Sequence, residues 1–283
     1  MEDFMSESTN PLFKHFRQPQ LYIRLPSNGN FYPQGSIDIP VTKEFPVYAM
    51  TAKDELTLKT PDALLNGQAT VDVIQSCMPN IKNAWHVPAI DLDHILISIR
   101  RATYGDGMEF STICPHCQQK NEQVLNLQAL GNNIDHNDYN SPVITDGLEI
   151  YLKPADYYTV NRMNLESYEN QRLISVVRDQ TIPEQEKITK YNELFKRILD
   201  TTVAEIANSV AAIKVDGKLV DDPKHIDEFF RNCSKSVWDP VKNQLEKVSA
   251  KNELLKIQLI CEYEDCKKEY TTPLLFDTSN FFV

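Results

Sequence analysis

Apolar residues recur at intervals of three and four positions along much of this chain, which is the spacing of one face of an α-helix. The longest such stripe consists of Leu92, Ile95, Leu96, Ile99 and Ala102. A shorter stripe of Val71, Ile74 and Met78 stops at Pro79, because proline interrupts a helix. The pattern predicts a compact helical block over residues 51–104. Further helices are predicted over residues 154–178, 184–210, 225–233 and 237–251.

Two sites in this block carry signals for the start of a helix. Thr51 is followed three positions later by Asp54, the spacing of a capping box, in which each side chain bonds the other residue's backbone N–H. Asp91 stands immediately before the stripe that begins at Leu92, where its carboxylate can cap exposed N–H groups. We therefore expect one helix to begin after Thr51 and another at Leu92.

Short β-prone segments separate the helices. Residues 21–25 and 44–50 predict a small β unit near the start of the chain. Residues 108–113 and 123–127 should form two strands that run to and from a tight turn. An Asp-Gly pair at 216–217 lies between β-prone flanks, which is a strong signal for a two-residue hairpin turn.

These elements predict an α+β fold with a mostly helical body and short β-hairpins. The 283 residues suffice for one large domain or two small ones. We divide the chain into a flexible N-terminal segment (1–18), a small β unit (19–50), a helical block with a first cysteine knuckle (51–130), a helical insertion with a β-hairpin (131–250), and a second cysteine knuckle with an apolar C-terminal tail (251–283).

Charge and composition argue against some classes of function. The chain has 29 Lys or Arg and 40 Asp or Glu, so its net charge is −11, which argues against neutralising nucleic-acid phosphates. Its 8 glycines leave little material for loops that cradle phosphate groups. Neither a secretory signal nor an apolar run of membrane-spanning length is expected, so we predict that the protein is made and kept in a reducing cytosol, or in a particle assembled there. In that setting paired cysteines serve as metal ligands or redox groups.

Four of the six cysteines fall into two close pairs. Cys114 and Cys117 are separated by two residues, Cys261 and Cys266 by four, and the second pair begins 144 positions after the first ends. Such spacings let one tight turn present two sulfur atoms to a single ion, and zinc takes four ligands in a tetrahedron. We therefore predict one structural zinc site with all four as ligands, in a discontinuous zinc-ribbon-like pair of knuckles that closes the insertion.

Other interpretations of these cysteines stay open. Cys114 and Cys117 could form the redox dithiol of a thiol-disulfide oxidoreductase, or the four thiols could be unligated. His116 could replace Cys266 as a ligand. The remaining two cysteines, Cys77 and Cys233, are predicted to be core residues.

The prediction is that the chain is not an enzyme. A site closed by four thiolates leaves no coordination position for a substrate, and the chain contains no Walker A, G-x-S-x-G, H-E-x-x-H or G-x-G-x-x-G motif. The apolar end, with Phe276, Phe281 and Phe282, either packs onto its own core or anchors a partner protein.

Several segments together resemble one protein family. They are RLPSNGNFY at 24–32, MTAKDE at 50–55, TPDALLNG at 60–67, DLD at 91–93, ATYG at 102–105, the Cys114/Cys117 knuckle, and FDTSNFF at 276–282. The chain thereby resembles the baseplate hub (base plate) proteins of T-even-type contractile-tailed bacteriophages.

The resemblance implies a structural or assembly role at the hub of the phage tail baseplate. It implies other tail and baseplate proteins as partners, with neither nucleic acid nor membrane, and allows for a homo-oligomer in the assembled baseplate. The expected location is the virion tail, after assembly in the host cytoplasm.

Overall fold

The computed structural model describes residues 12, 15–60, 67–132, 139, 141–177, 184–252 and 256–273. These residues form helices and short antiparallel sheets, which confirms the predicted α+β class. None of the helices described is long and apolar enough to cross a membrane. The predicted C-terminal tail from residue 274 onward lies outside the described residues.

Eight α-helices occur in the described parts of the chain. They are α1 (Ala52–Leu58), α2 (Gln68–Cys77), α3 (Ala89–Tyr104), α4 (Leu127–Asn132), α5 (Tyr157–Val177), α6 (Glu184–Asn208), α7 (Pro223–Asn232) and α8 (Lys235–Asn252). The predicted helices correspond to α1–α3 and α5–α8, with ends that differ by a few residues.

Ten strands form four antiparallel sheets within the same residues. The strands are β1 (Pro19–Ile23), β2 (Phe45–Tyr48), β3 (Gly107–Ile113), β4 (Lys120–Asn126), β5 (Val143–Thr145), β6 (Leu148–Leu152), β7 (Val210–Val215), β8 (Lys218–Val220), β9 (Lys256–Ile260) and β10 (Glu269–Pro273). β1 pairs with β2, β3 with β4, and β9 with β10, while β5-β6-β7-β8 make one four-stranded sheet.

A first apolar core joins β1 and β2 to helices α1–α4. Its fully buried side chains include Phe45, Val47, Ile74, Ile95, Ile99 and Leu127. The predicted capping box at the start of α1 is confirmed, because Thr51 Oγ1 accepts from the Asp54 N–H and the Asp54 carboxylate accepts from the Thr51 N–H. The apolar stripe predicted on α3 supplies much of this core.

The predicted start of α3 was wrong. The helix begins at Ala89 with Pro88 in the N-cap position, so Asp91 lies inside the first turn and is not the N-cap residue. Its carboxylate is fully buried and accepts hydrogen bonds from Ser27 N (2.8 Å), Ser27 Oγ (2.5 Å) and the Tyr32 hydroxyl (2.9 Å). Asp91 thus fixes the loop after β1 onto α3, across 64 residues of sequence.

A second apolar core lies between the four-stranded sheet and helices α6, α7 and α8. The predicted Asp-Gly hairpin is confirmed, with β7 and β8 joined through Asp216 and Gly217, both at positive φ (49° and 77°). Asp146 and Gly147 form the same kind of turn between β5 and β6 (φ 46° and 76°). That second turn carried the same sequence signal and was missed.

Candidate metal centre

Two hairpins present the four predicted cysteine ligands. β3 and β4 pair in register down to Ile113 opposite Lys120, so Cys114 and Cys117 lie in the turn between them. β9 and β10 pair from Ile260 opposite Glu269, and the turn between them carries Cys261 and Cys266. The hairpin expected from residues 108–127 is therefore present, and the chain returns to form a second one after the intervening 143–252 elements.

The structure brings the four sulfur atoms together. All lie within 4.8 Å of one another, with Cys117 Sγ 3.6 Å from Cys261 Sγ and Cys114 Sγ 3.9 Å from Cys266 Sγ. These distances are too long for disulfides, and all four cysteines are free. In a tetrahedral zinc site with Zn–S bonds of about 2.3 Å, neighbouring sulfurs lie about 3.8 Å apart. The observed spacing fits that geometry.

The two turns share one backbone design. In each, the N–H of the first cysteine donates to a carbonyl beyond the second, from Cys114 to Gln119 O and from Cys261 to Lys268 O, both at 3.0 Å. The residue directly after the second cysteine has positive φ in both turns, at Gln118 (60°) and Lys267 (46°). This left-handed residue reverses the chain so that both sulfurs of a turn face the same point.

Polar contacts hold one hairpin against the other. The Thr112 and Tyr270 hydroxyls lie 2.5 Å apart, and Gln123 Nε2 donates to Ile260 O at 3.1 Å. Asn121 is fully buried on β4, where its Oδ1 accepts from the Glu262 N–H at 2.7 Å and its Nδ2 donates to Gln119 O. Its amide therefore braces both cysteine turns at once.

Burial divides the sulfurs into two kinds. Cys114 and Cys261, the first cysteine of each turn, are fully buried with Leu259 and Tyr270, whereas Cys117 and Cys266 are half-buried. The cluster thus lies between the hairpins with its second cysteines nearer to the surface. Such partial burial strengthens the attraction between thiolates and a cation, because little water competes there.

The surroundings of Cys114 favour the ionised form of its thiol. Burial opposes the charged form, but the backbone N–H groups of Cys117 and His116 and the neighbouring thiols outweigh it and lower the pKa of Cys114 to about 6. For Cys117, a backbone contact from Gln119 favours the thiolate, yet burial and the other three thiols raise the pKa to about 12. A dication at the centre would favour the thiolate form of every member, since metal ligation requires deprotonated sulfur.

The other candidate residues lie elsewhere. His116 Nε2 is 3.3 Å from Glu269 O, so the ring contacts the backbone of β10 and is not among the clustered ligand atoms. Cys77 is buried in the first core, and Cys233 packs against the second, as predicted. Asn121 was missed, because no local pattern distinguishes an asparagine that bridges two hairpins from one exposed on a strand.

Comparison with known proteins identifies the family. The chain matches the family described as T4 bacteriophage base plate protein over residues 32–283, which confirms the predicted relationship. No curated protein and no solved structure matches the chain. Because the match covers most of the sequence, the chain belongs to the T4 bacteriophage base plate protein family and is a structural protein of the phage tail baseplate.

Proposed function

We propose that this chain is a structural or assembly component of the baseplate hub, that it acts through contacts with other tail and baseplate proteins, and that a structural zinc stabilises it. The observation that carries the zinc proposal is the convergence of Cys114, Cys117, Cys261 and Cys266 within 4.8 Å. Membership in a base plate family supports the role in the tail.

Zinc is the metal that suits this donor set. Four cysteine sulfurs in a closed tetrahedron are typical of structural zinc sites, whereas Mg²⁺ and Ca²⁺ prefer oxygen ligands. The ligands come from hairpins that precede and follow residues 143–252, so one ion would join the two ends of that long segment. The proposed role of the metal is therefore to hold the architecture together and not to catalyse a reaction.

Two features argue against the alternative of a thiol-disulfide oxidoreductase. A reactive dithiol of that kind lies at the N-terminus of a helix, which depresses the thiol pKa, but here β4 follows Cys117. Cys114 is also fully buried, so a disulfide substrate has no direct approach to its sulfur.

Metal analysis of the purified full chain tests the zinc proposal. We expect about one zinc per chain, as one four-ligand site requires. Cys261→Ser should abolish zinc binding, and Cys233→Ser, which changes a cysteine outside the cluster, should retain it. Metal-free protein that cycles a Cys114–Cys117 disulfide would contradict the proposal.

Mass spectrometry and labelling of purified tails test the placement at the hub. We expect the chain in isolated baseplates, cross-linked to other central components. If the chain is present in infected cells but missing from finished tails, it is an assembly factor that departs. Location at the outer rim of the baseplate would contradict the hub assignment.

A further inference from the structure

Helix α6 carries a row of exposed apolar side chains, which we call the α6 stripe. Its members and their exposed fractions are Ile188 (50%), Tyr191 (57%), Phe195 (58%), Ile198 (37%) and Leu199 (56%). Isolated exposed apolar residues are ordinary, but five of them in a row on one helix form a continuous patch, and such patches mark interaction sites.

The stripe has the geometry of a helix-packing seam. Ile188, Tyr191, Phe195 and Ile198 follow one another at intervals of three, four and three, the heptad spacing with which two helices pack side by side. From Ile188 to Leu199 the stripe extends about 17 Å along the helix axis, at 1.5 Å per residue. Ile206, seven positions after Leu199 and on the same face, is buried in the second core. The stripe is therefore the exposed continuation of the helix face that packs into the second core at Ile206.

Helix α5 does not cover the stripe, because it packs on another side of α6. Leu194 is buried at 6% exposure, and the polar contacts to α5 come from Arg197, which bonds Glu169 at 2.6 Å, and from Thr201, which approaches Glu166. These three α6 positions lie about 90° or more around the helix from Phe195, at 100° per residue.

The exposed area fits a stable interface. Large apolar and aromatic side chains offer roughly 150–250 Å² each, so the five partly exposed members present about 500 Å². That is at the upper end of the patches found on monomers. With a polar rim around it, a patch of this size is large enough to be the apolar centre of an interface of roughly 800 Å² per partner, which is the area that specific complexes bury.

Charge on α6 favours an identical partner. The chain as a whole is strongly acidic, at −11, which opposes self-association through most of its surface. Over the whole of α6 the two signs nearly balance in the sequence, with four Lys or Arg against five Asp or Glu, and Arg197 and Asp200 pair within the chain with Glu169 and Arg231. A second copy of α6 supplies the matching heptad seam, and because the helix is close to neutral the two copies can approach without strong repulsion.

We propose that the α6 stripe is the dimerisation surface of this protein, on which α6 of a second copy packs to complete a bundle of the two α5–α6 pairs. The inference is independent of the zinc site and of the placement at the hub. It assigns a location to the self-association that the base plate role allows.

Sedimentation analysis of the full chain tests the proposal. We expect a species of twice the chain mass of 32.5 kDa when the concentration is raised to about 100 µM, because interfaces of this size bind with micromolar or tighter affinity. Phe195→Glu should raise the dissociation constant at least about 30-fold, because it buries two unpaired charges at the centre of a symmetric interface. Leu56→Glu, which changes an exposed leucine on α1 (68%, against 58% for Phe195), is the control and should leave the dimer intact.

Photo-crosslinking identifies what covers the stripe. With Tyr191→benzoylphenylalanine in the full chain, we expect a cross-linked band at twice the chain mass. A cross-link within one chain, as from its own C-terminal tail, would overturn the proposal. A wild-type monomer at the highest concentration would do the same, as would a dimer that survives Phe195→Glu with unchanged affinity and far-UV circular dichroism.

Discussion

The two apolar cores are built by different means. Residues 15–132 contain every buried polar or charged side chain found in the described parts of the chain: Ser27, Ser36, Asp54, Thr70, Asp91, Ser98, Arg100 and Asn121. Residues 139–252 have a core of aliphatic and aromatic side chains and expose the α6 stripe. The first region thus specifies its geometry with buried hydrogen bonds, whereas the second relies on apolar packing that extends beyond its own core.

This difference bears on how each region contributes to assembly. A buried polar group stabilises only the arrangement that satisfies it and penalises alternatives, so such groups fix one geometry. Apolar packing is less directional and tolerates a new neighbour on an exposed face. The first region, with the cysteine hairpins attached to it, is therefore suited to a rigid support, and the second is suited to docking.

The largest effect should come from breaking the proposed metal site. If the proposed zinc is bound, we expect Cys114→Ser to destabilise the cysteine hairpins by several kcal/mol, because a structural zinc contributes its binding free energy to folding. Hydrogen exchange should rise in β3, β4, β9 and β10 and stay low in β6 and β7. Cys233→Ser should leave all these strands protected, and equal loss of protection in β6 and β7 would contradict separate stabilisation.

The apolar core of the second region should respond next. Phe230 is 3% exposed and contacts the rings of Phe229 and Trp238. We expect Phe230→Ala to cost about 3–5 kcal/mol through lost burial and the cavity left behind. The free energy of unfolding from urea titration measures this cost, and exchange should increase in β7 and α7 while α3 stays protected. Phe229→Ala, at a neighbouring half-buried ring, should cost less.

Removing the buried carboxylate of Asp91 should weaken the first region. Asp91→Ala leaves Ser27 and Tyr32 without their acceptor, so we expect a loss of about 3 kcal/mol. Tyr32→Phe, which removes one donor only, should cost about 1 kcal/mol. Urea unfolding gives both values, and exchange in the loop at 25–32 should rise while the second core is unaffected. Equal costs for the two variants would show that Asp91 does not act as the shared acceptor.

Local sequence patterns were enough to predict most of the secondary structure and the four candidate ligands. The capping box at Thr51 and the Asp-Gly turn at 216–217 depend on residues a few positions apart, so the sequence alone sufficed. The cysteine spacing likewise reflects two tight turns, each of which is local. Once both turns were expected, one shared site was the simplest arrangement of four thiols.

Polar contacts between residues far apart in the sequence could not be predicted from local patterns. Asp91 fits the pattern of a helix cap, yet its partners Ser27 and Tyr32 lie 64 and 59 positions earlier, and tertiary burial decides its role. Arg17 falls in the segment predicted to be flexible, but it donates to Ala49 O and Ser76 O, both at 2.6 Å, and pairs with Asp54. When a side chain donates to backbone carbonyls far away in the sequence, the residues around it show no periodic pattern that would predict the contact.

The smallest expected effect on stability comes from Asp93, two residues after Asp91. Comparing the two residues contrasts a carboxylate that accepts hydrogen bonds with one that accepts none from the described residues. Burial raises the pKa of Asp93 from 3.8 to about 6. The folded protein therefore binds this proton more tightly than the unfolded chain does. Well below pH 4 the group is neutral in both states, between pH 4 and 6 stability falls as pH rises, and above pH 6 the full cost of the half-buried charge is present.

Asp93→Asn should remove that cost. We expect a gain of about 2 kcal/mol in the free energy of unfolding at pH 7.5, because the shift corresponds to at most about 3 kcal/mol and the side chain is only half-buried, and little gain at pH 4. Asp91→Asn is the matched control, and it should lose stability at pH 7.5, since an amide accepts fewer hydrogen bonds than the carboxylate. Urea titrations at the two pH values decide the matter: a gain for Asp93→Asn that is equal at both would mean that its charge carries no penalty in the fold.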